Sequence, residues 1–122
     1  MRKHEAERIV TIAGARASEC LDYTGLPLAS LDALARRFML GATKHGRDNY
    51  RKALGDPEYI RARLSHVIRH AFTLAAKLDG RQEWDDDDDI GAIMWGAMFL
   101  AESRNSFPEH FEPKGKDPEF TS

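Results

Sequence analysis

The amino-acid sequence predicts an all-α fold, for two reasons. Apolar residues recur three and four positions apart in about four separate segments, which is the spacing of one helix face. Nowhere does a sustained alternation of β-branched and polar residues indicate a strand. At 122 residues the chain suits one domain with a core of its own. We therefore expect a bundle of about four helices.

Two helices are predicted in the first half of the chain. The first covers residues 5–21 and ends at the segment DYTGLP, which contains Gly25 and Pro27. The second starts near Ser30 and ends before Gly46, because glycine readily adopts the left-handed conformation that closes a helix. Its apolar face consists of Leu31, Leu34, Phe38 and Ala42.

The third predicted helix has the strongest start signal in the sequence. Asp56 can cap it, Pro57 suits its first position, and Glu58 favours the positive end of the helix dipole. The helix should end at Gly80. A stripe of apolar residues at helical spacing is predicted to form its core face: Ile60, Leu64, Ile68, Ala71, Phe72, Ala75 and Leu78.

The last predicted helix begins within an uninterrupted run of aspartates, residues 85–89, and continues to about Ser103. It is apolar nearly all round. Trp95 and Phe99 cover one side. The other side carries Ile90, Ile93, Met94, Ala97 and Leu100.

Such a helix must be buried on several faces, and a small bundle rarely encloses one completely. We therefore expect self-association into a homodimer or homotetramer. Gly91 and Gly96 would either allow another helix to approach closely or be merely tolerated. The all-α domain should cover residues 1–103, followed by a polar, proline-rich tail at residues 104–122.

Charge and composition disfavour several classes of function. The net charge of -2 and the pI near 6.2 provide no overall positive field for nucleic acid or an anionic membrane, which disfavours a small DNA-binding protein. The longest uncharged apolar run, residues 90–101, is well short of the ~20 residues that span a bilayer. The single cysteine, Cys20, cannot form an intrachain disulfide, and the N-terminus lacks the apolar core of a signal peptide. These features predict a cytoplasmic protein.

The run of aspartates at residues 85–89, called the acid run below, has two interpretations. At a helix N-terminus the helix dipole favours each negative charge by ~0.3 to 1 kcal/mol. One aspartate suffices for capping, however, and a helical turn would place Asp89 on the same face as Asp85 or Asp86. Mg²⁺ and Mn²⁺ bind such oxygen ligands. The residues alone leave both capping and metal binding open.

A second candidate is the basic loop GATKHGRDNYRK. It places Lys44, Arg47 and Asn49 beside two glycines, and a phosphate requires such compact positive charge and flexible N–H donors. An ordinary basic loop after a helix is equally compatible with these residues. The loop is not a P-loop, because the GxxxxGK[ST] spacing is missing.

The third predicted helix carries another candidate set. His66 and His70 lie one turn apart, with Arg69 between them. Zinc is disfavoured, because the HExxH glutamate is missing and no cysteine cluster is present. Arg69 and His70 instead suit contacts to phosphate or base, or a surface in an oligomer. An antiparallel hairpin would bring Asp79, at the end of this helix, close to the acid run.

Two stretches, LPLASLDALARRFMLGATKHGRDNYRK and RLSHVIRHAFTLAAKLDG, make the chain similar to a known family. The pattern is GA-x-K-[YH]-G-x-x-N-[WY], then an arginine-histidine pair, then acidic residues before a last helix. This order resembles the phage-associated dATP/dGTP diphosphohydrolase domain, a MazG-like all-α nucleoside triphosphate pyrophosphohydrolase, over residues 26–102. The matching residues are Gly41, Ala42, Lys44, His45, Gly46, Asn49, Tyr50, Arg69, His70 and Asp79.

The resemblance implies an activity and a cofactor. Enzymes of this kind use Mg²⁺ or Mn²⁺ to hydrolyse a nucleoside triphosphate between its α and β phosphates, and a purine substrate, (d)GTP or dATP, is favoured. The host cytoplasm is the implied location if a phage encodes the chain. Met94 and Ala97 stand where the family has histidines, and the EExxE and ExxD carboxylate pattern is missing. The alternative is a non-catalytic oligomerisation or nucleotide-sensing module.

The resemblance also implies roles for individual residues. The carboxylates that would hold the metal are Asp79, Asp87 and Asp89. Asp79 and Asp89 would also be catalytic. The residues that would bind the substrate are Lys44, Arg47, Asn49, Arg69 and His70. Tyr50 or Trp84 would stack on the base, although Trp84 equally suits a packing role.

Overall fold

The structure, a computed structural model, describes residues 21–113. Within them the chain forms helix α1 at Leu28–His45, α2 at Pro57–Leu78 and α3 at Asp89–Ser106. Short 3-10 helices follow α1 and α3. No strand occurs in residues 21–113, which confirms the predicted all-α class. The helix predicted over residues 5–21 lies outside the described residues, apart from its last position.

The chain divides into two compact units, Met1–Ser30 and Leu31–Ser122. In the described part of the first unit, Asp22 closes a turn, because its Oδ1 accepts a hydrogen bond from the Thr24 backbone N–H at 2.9 Å. The candidate functional residues all lie in the second unit.

The ends of α1 and α2 lie close to their predicted positions, because local chemistry determines them. Asp56 caps α2: its Oδ1 accepts a hydrogen bond from the Glu58 backbone N–H at 3.0 Å, and Pro57 occupies the first helical position. Gly46 and Gly80 follow α1 and α2 with φ angles of 92° and 72°. These are left-handed conformations that glycine adopts without strain.

Helices α2 and α3 pack against each other as an antiparallel pair, called the α2–α3 seam below. Tyr59, near the start of α2, packs against Phe99 in the second half of α3, with ring centroids 5.3 Å apart. The last turn of α2 contacts the first residue of α3. Between these points Gly96 allows the close approach, because a Cβ there would collide with Val67 Cγ2. The close helix contact at Gly96 is therefore made within one chain.

The predicted core face of α2 is not buried in the single chain. Leu64, Ile68 and Phe72, called the apolar stripe below, are 45%, 46% and 72% exposed. Instead, α2 turns toward α3 the face that carries His70 and Lys77, both of which are buried. The prediction that this stripe forms the core face is therefore wrong within a single chain. Helix α2 is rotated so that its polar residues, and not the stripe, contact their partners on α3.

Helix α3 is longer than predicted. It continues to Ser106, beyond the expected end at Ser103, and the Phe107 backbone N–H donates to the Ser103 carbonyl at 2.7 Å. The side chain of Phe99 is fully buried, whereas Ile90 is exposed. Among the helices of residues 21–113, none has the length and apolar character that crossing a lipid bilayer requires.

Candidate active site

Asp89 lies at the centre of a buried charged cluster at the start of α3. Its side chain is only 3% exposed. The carboxylate Oδ1 lies 2.8 Å from His70 Nδ1, and Oδ2 accepts a hydrogen bond from Lys77 Nζ at 2.5 Å. Lys77 Nζ also donates to Asp85 Oδ1 at 2.7 Å. These four side chains, together with the neighbouring Asp87, are called the carboxylate cluster below.

Hydrogen bonding keeps three members of the carboxylate cluster charged: Lys77, Asp85 and Asp89. Hydrogen bonds to Asp85 and Asp89 raise the pKa of the Lys77 ammonium, although burial acts in the opposite direction. Burial is the largest influence on Asp89 and raises the pKa of its carboxyl, but hydrogen bonds from His70 and Lys77 together hold that pKa below its ordinary value. The hydrogen bond from Lys77 likewise lowers the pKa of Asp85. At neutral pH the ammonium thus faces two carboxylates.

The aspartates of the acid run have different environments. Asp88 caps α3, because its Oδ1 accepts a hydrogen bond from the Gly91 backbone N–H at 3.0 Å. Asp85 binds the buried ammonium and also accepts a hydrogen bond from the Asp87 backbone N–H at 3.0 Å. Every aspartate of the acid run except Asp89 is exposed. Capping therefore occupies Asp88 and leaves the other carboxylates free for different roles.

Three side chains of the carboxylate cluster could hold a metal ion: His70, Asp87 and Asp89. One ligand atom of each lies within 4.8 Å of the other two. Two ligands that bind one ion at ~2.1 Å lie at most about 4.2 Å apart. A small movement of the exposed Asp87 side chain would therefore complete the site. Two carboxylates and one imidazole fit a divalent ion that accepts oxygen and nitrogen ligands.

Asp79, expected from the sequence to be a metal ligand, is not part of this group. It follows the last residue of α2, is exposed, and accepts a hydrogen bond from Arg81 Nη2 at 3.2 Å. Lys77 faces the acid run instead, since two residues along a helix turn the side chain by about 200°. The sequence predicts the hairpin correctly but does not predict which residue of α2 points into it.

A pocket of about 300 Å³ lies beside the α2–α3 seam and is called the basic pocket below. Its wall contains three of the residues expected to bind substrate: Lys44, Arg47 and Asn49. Arg37 and Arg63 add positive charge, and no aspartate or glutamate of residues 21–113 lines it. Aromatic side chains complete the wall: Phe38, Tyr50, Tyr59 and Trp95. Such a pocket suits an anion that carries an aromatic ring.

Arg63 is a pocket residue that the sequence does not single out. Its guanidinium lies 5.4 Å from the ring centroids of both Tyr59 and Trp95, and its Nη2 donates to the Tyr59 hydroxyl at 2.7 Å. These contacts fix the guanidinium in place. The spacing of Tyr59 and Arg63, one helical turn apart, is a signal that could have found the first contact. The contact with Trp95 depends on how α3 packs.

Tyr50 connects the basic loop to the α2–α3 seam. Its ring meets those of Phe38 and Trp95 edge-on, with centroid separations of 6.1 and 5.6 Å. Trp84, the other residue expected to stack on a base, is exposed and does not line the pocket. Its ring centroid lies 6.0 Å from Lys77 Nζ. Of these two stacking candidates, only Tyr50 therefore lines the pocket.

Arg69 and His70 are adjacent in sequence but have different surroundings. His70 belongs to the carboxylate cluster, whereas Arg69 is exposed and its Nη2 lies 3.4 Å from His66 Nε2. Burial, and then the charge of Arg69, lower the pKa of the His66 imidazole. A lowered pKa favours the neutral ring, and only a neutral ring can accept the hydrogen bond from Arg69. Arg69 is not among the described residues that line the basic pocket.

The basic pocket and the carboxylate cluster lie along the same seam. On α2, Arg63 and His70 are two turns apart, roughly 10 Å along the helix axis. On α3, Ala92 lines the pocket one turn after Asp89. An extended anionic ligand could therefore contact both.

Fold and site together define an all-α chain with a candidate anion-binding pocket next to a candidate metal site. A family described as dATP/dGTP diphosphohydrolase, N-terminal, matches residues 12–111. This match spans most of the chain, and the protein belongs to that family. It confirms the resemblance found in the GATKHGRDNY motif and the residues that follow. Among curated proteins and among solved structures, no match to the chain is found.

Proposed function

We propose that this chain is a metal-dependent nucleoside triphosphate pyrophosphohydrolase. It converts a purine triphosphate, (d)GTP or dATP, to the monophosphate and pyrophosphate. The observation that carries the proposal is the position of a positively charged, aromatic-lined pocket and a carboxylate cluster on one helix seam. The family description, which names dATP and dGTP, supports the class of substrate.

In this proposal the basic pocket binds the nucleotide. Lys44 and Arg47 neutralise the triphosphate, and their charge favours a transition state in which negative charge moves onto the pyrophosphate. Asn49 donates an amide hydrogen bond to a phosphate or the sugar. Tyr50 packs against the base. Arg69, exposed beside the carboxylate cluster, is available to a phosphate held there.

The residues of the carboxylate cluster that would hold Mg²⁺ or Mn²⁺ are His70, Asp87 and Asp89. When bound, the ion supplies positive charge to phosphate oxygens and lowers the pKa of water. Asp89 is held in position, because His70 and Lys77 contact its two carboxylate oxygens. Water attacks the α phosphorus and releases a proton to solvent, the bond from that phosphorus to the αβ-bridging oxygen breaks, and pyrophosphate leaves with this oxygen.

Self-association into a homodimer or homotetramer is part of the proposal. The apolar stripe on α2 and the exposed Ile90 on α3 support it, because apolar surface left in water costs ~25 cal/mol per Å². A contiguous exposed apolar patch typically marks an interaction surface. A second copy of the chain would cover this surface.

Product analysis tests the proposed reaction. The protein is incubated with each ribo- and deoxyribonucleoside triphosphate plus Mg²⁺ or Mn²⁺, and the products are separated by ion-exchange chromatography. We expect equal amounts of monophosphate and pyrophosphate from purine triphosphates, and none in the presence of EDTA. Calorimetry with the same nucleotides accompanies the assay. Nucleotide binding without any product would contradict the enzyme and favour the nucleotide-sensing module, and an absence of both would favour the oligomerisation module.

A further inference from the structure

Lys77 is a buried cation that contacts neither substrate nor metal in the proposed reaction, although it helps to hold Asp89 in position. Its side chain is 1% exposed, and its Nζ lies between Asp85 Oδ1 at 2.7 Å and Asp89 Oδ2 at 2.5 Å. Lysine is almost never fully buried unless it is paired. The sequence offers no hint of this position, because Lys77 lies in the last turn of α2 among alanines and leucines.

The ammonium contacts the same carboxylate that the proposed metal would bind. A buried carboxylate without a partner is strongly unfavourable. Lys77 provides that partner for Asp89, while the second oxygen of Asp89 contacts His70. Lys77 also ties the exposed Asp85 to the seam. It therefore neutralises and orients carboxylates, which is what a divalent cation does in a site made of carboxylates alone.

We propose that Lys77 is a built-in cation of the candidate metal site. It is a positioning residue that takes the place of one metal ion, holds Asp85 and Asp89, and leaves room for a single divalent ion beside His70 and Asp87. The binding of a single metal ion rests on the proposed function, whereas the neutralisation of the buried Asp89 carboxylate by Lys77 does not.

Two measurable consequences follow from this arrangement. Because Lys77 neutralises the charge of the Asp89 carboxylate, the wild-type cluster keeps its structure without metal, and a bound ion adds limited stability. Without the ammonium, the same ion should bind more tightly, since two neighbouring cations repel each other. Tighter binding to the folded state raises the melting temperature by mass action.

The principal test is Lys77→Met, which keeps the length of the side chain but removes its charge. Melting temperatures are measured in EDTA and in saturating MnCl₂. In EDTA we expect a decrease of about 10 °C or more relative to wild type. Mn²⁺ should raise the melting temperature of this variant by several degrees more than that of wild type. Lys77→Arg should recover part of the loss, and Lys52→Met, at an exposed lysine outside pocket and cluster, should match wild type.

The double variant Lys77→Met/Asp89→Asn keeps the test decisive even if Lys77→Met does not fold in EDTA. Removal of both charges should restore much of the lost stability and abolish the extra effect of Mn²⁺. The proposal would be overturned if Mn²⁺ raised the melting temperatures of wild type and Lys77→Met equally. It would also be overturned if the double variant were no more stable in EDTA than Lys77→Met. An absence of turnover in the wild type would instead contradict the proposed function and leave this comparison intact.

Discussion

The face of α2 that packs against α3 buries polar and charged groups, whereas a second face of the same helix exposes apolar side chains. His70 and Lys77 are buried in the α2–α3 seam, while Leu64, Ile68 and Phe72 of the apolar stripe lie in contact with water. Buried charge is stable only when it is paired, and exposed apolar surface is unfavourable unless another molecule covers it. The two faces therefore need different partners.

The seam face finds its partners in the same chain. The acid run supplies carboxylates to Lys77 and His70, and Trp95 covers the guanidinium of Arg63. The apolar stripe has no such cover in the described residues, and in our proposal a second copy supplies it. Substitutions on the two faces should therefore have separable effects, with activity depending directly on the seam and assembly on the stripe.

Asp89→Asn should produce the largest effect. The amide keeps the size of the side chain but removes the charge that the metal requires, so we expect kcat/KM to fall by about 100- to 1000-fold. Circular dichroism should remain that of wild type, because Lys77 keeps Asp85 as a partner. Asp86→Asn, at a neighbouring exposed carboxylate, is the matched control. Full activity of Asp89→Asn would place the metal ligand elsewhere.

The same assay applied to Asp79→Asn distinguishes the two ligand sets. The family resemblance implies Asp79 as a ligand, whereas the structure groups His70 with Asp87 and Asp89. A loss as large as that of Asp89→Asn would favour the set that contains Asp79. Retained activity would favour the set that contains His70.

Arg63→Met should have an intermediate effect. The substitution removes positive charge from the basic pocket, and a charge-assisted hydrogen bond is worth ~1.5–3 kcal/mol, so kcat/KM should fall by about 10- to 100-fold. Steady-state kinetics with the preferred purine triphosphate measures the change. Arg104→Met, at an exposed arginine of α3 outside the pocket, is the control. Unchanged kinetics of Arg63→Met would show that this guanidinium, although it lines the basic pocket, does not bind the nucleotide.

Phe72→Asp should act on assembly. A charge in the apolar stripe should raise the dissociation constant of the oligomer by at least about thirtyfold, since interface aromatics commonly contribute more than ~2 kcal/mol. Light scattering after gel filtration over a range of concentrations measures the change. Gln82→Asp adds the same charge at an exposed position outside the stripe and should match wild type. A wild-type protein that is monomeric at micromolar concentration would contradict the proposed assembly.

The smallest expected effect is a pH dependence of stability without metal. The pKa of Asp89 is lowered in the folded state, so its contribution is fully present above pH 3.8 and is lost as the pH falls through the lower folded pKa. The pKa of Lys77 is raised, so its contribution is present below pH 10.5 and is lost as the pH rises through the higher folded pKa. Urea denaturation across both windows should show a weaker acid dependence for Asp89→Asn than for wild type. Identical acid profiles would contradict the charge pairing.

Local signals predict the start of α2 and the ends of α1 and α2 well. Asp56 and Pro57 start α2, and Gly46 and Gly80 end α1 and α2, because caps and left-handed glycines depend only on neighbouring residues. The basic loop is equally local, and Lys44, Arg47 and Asn49 line one pocket.

The rotation of α2 against α3 is not a local property, and the errors of prediction follow from it. A hydrophobic stripe indicates which face avoids water but not which molecule covers it. Leu64, Ile68 and Phe72, which the sequence predicts to lie in the core, are therefore exposed in the single chain. The same rotation places Lys77, and not Asp79, beside the acid run. Pairing of a buried lysine with two carboxylates requires contacts between distant residues that helical periodicity does not encode.

The most direct measurement is a crystal structure of the protein with Mn²⁺ and a dGTP analogue that carries a methylene group between the α and β phosphates. We predict an anomalous peak for Mn²⁺ beside His70, Asp87 and Asp89, and a triphosphate that runs from there into the basic pocket with the base near Tyr50. A nucleotide bound outside the pocket, or a Mn²⁺ ion that contacts none of these three residues, would contradict this prediction.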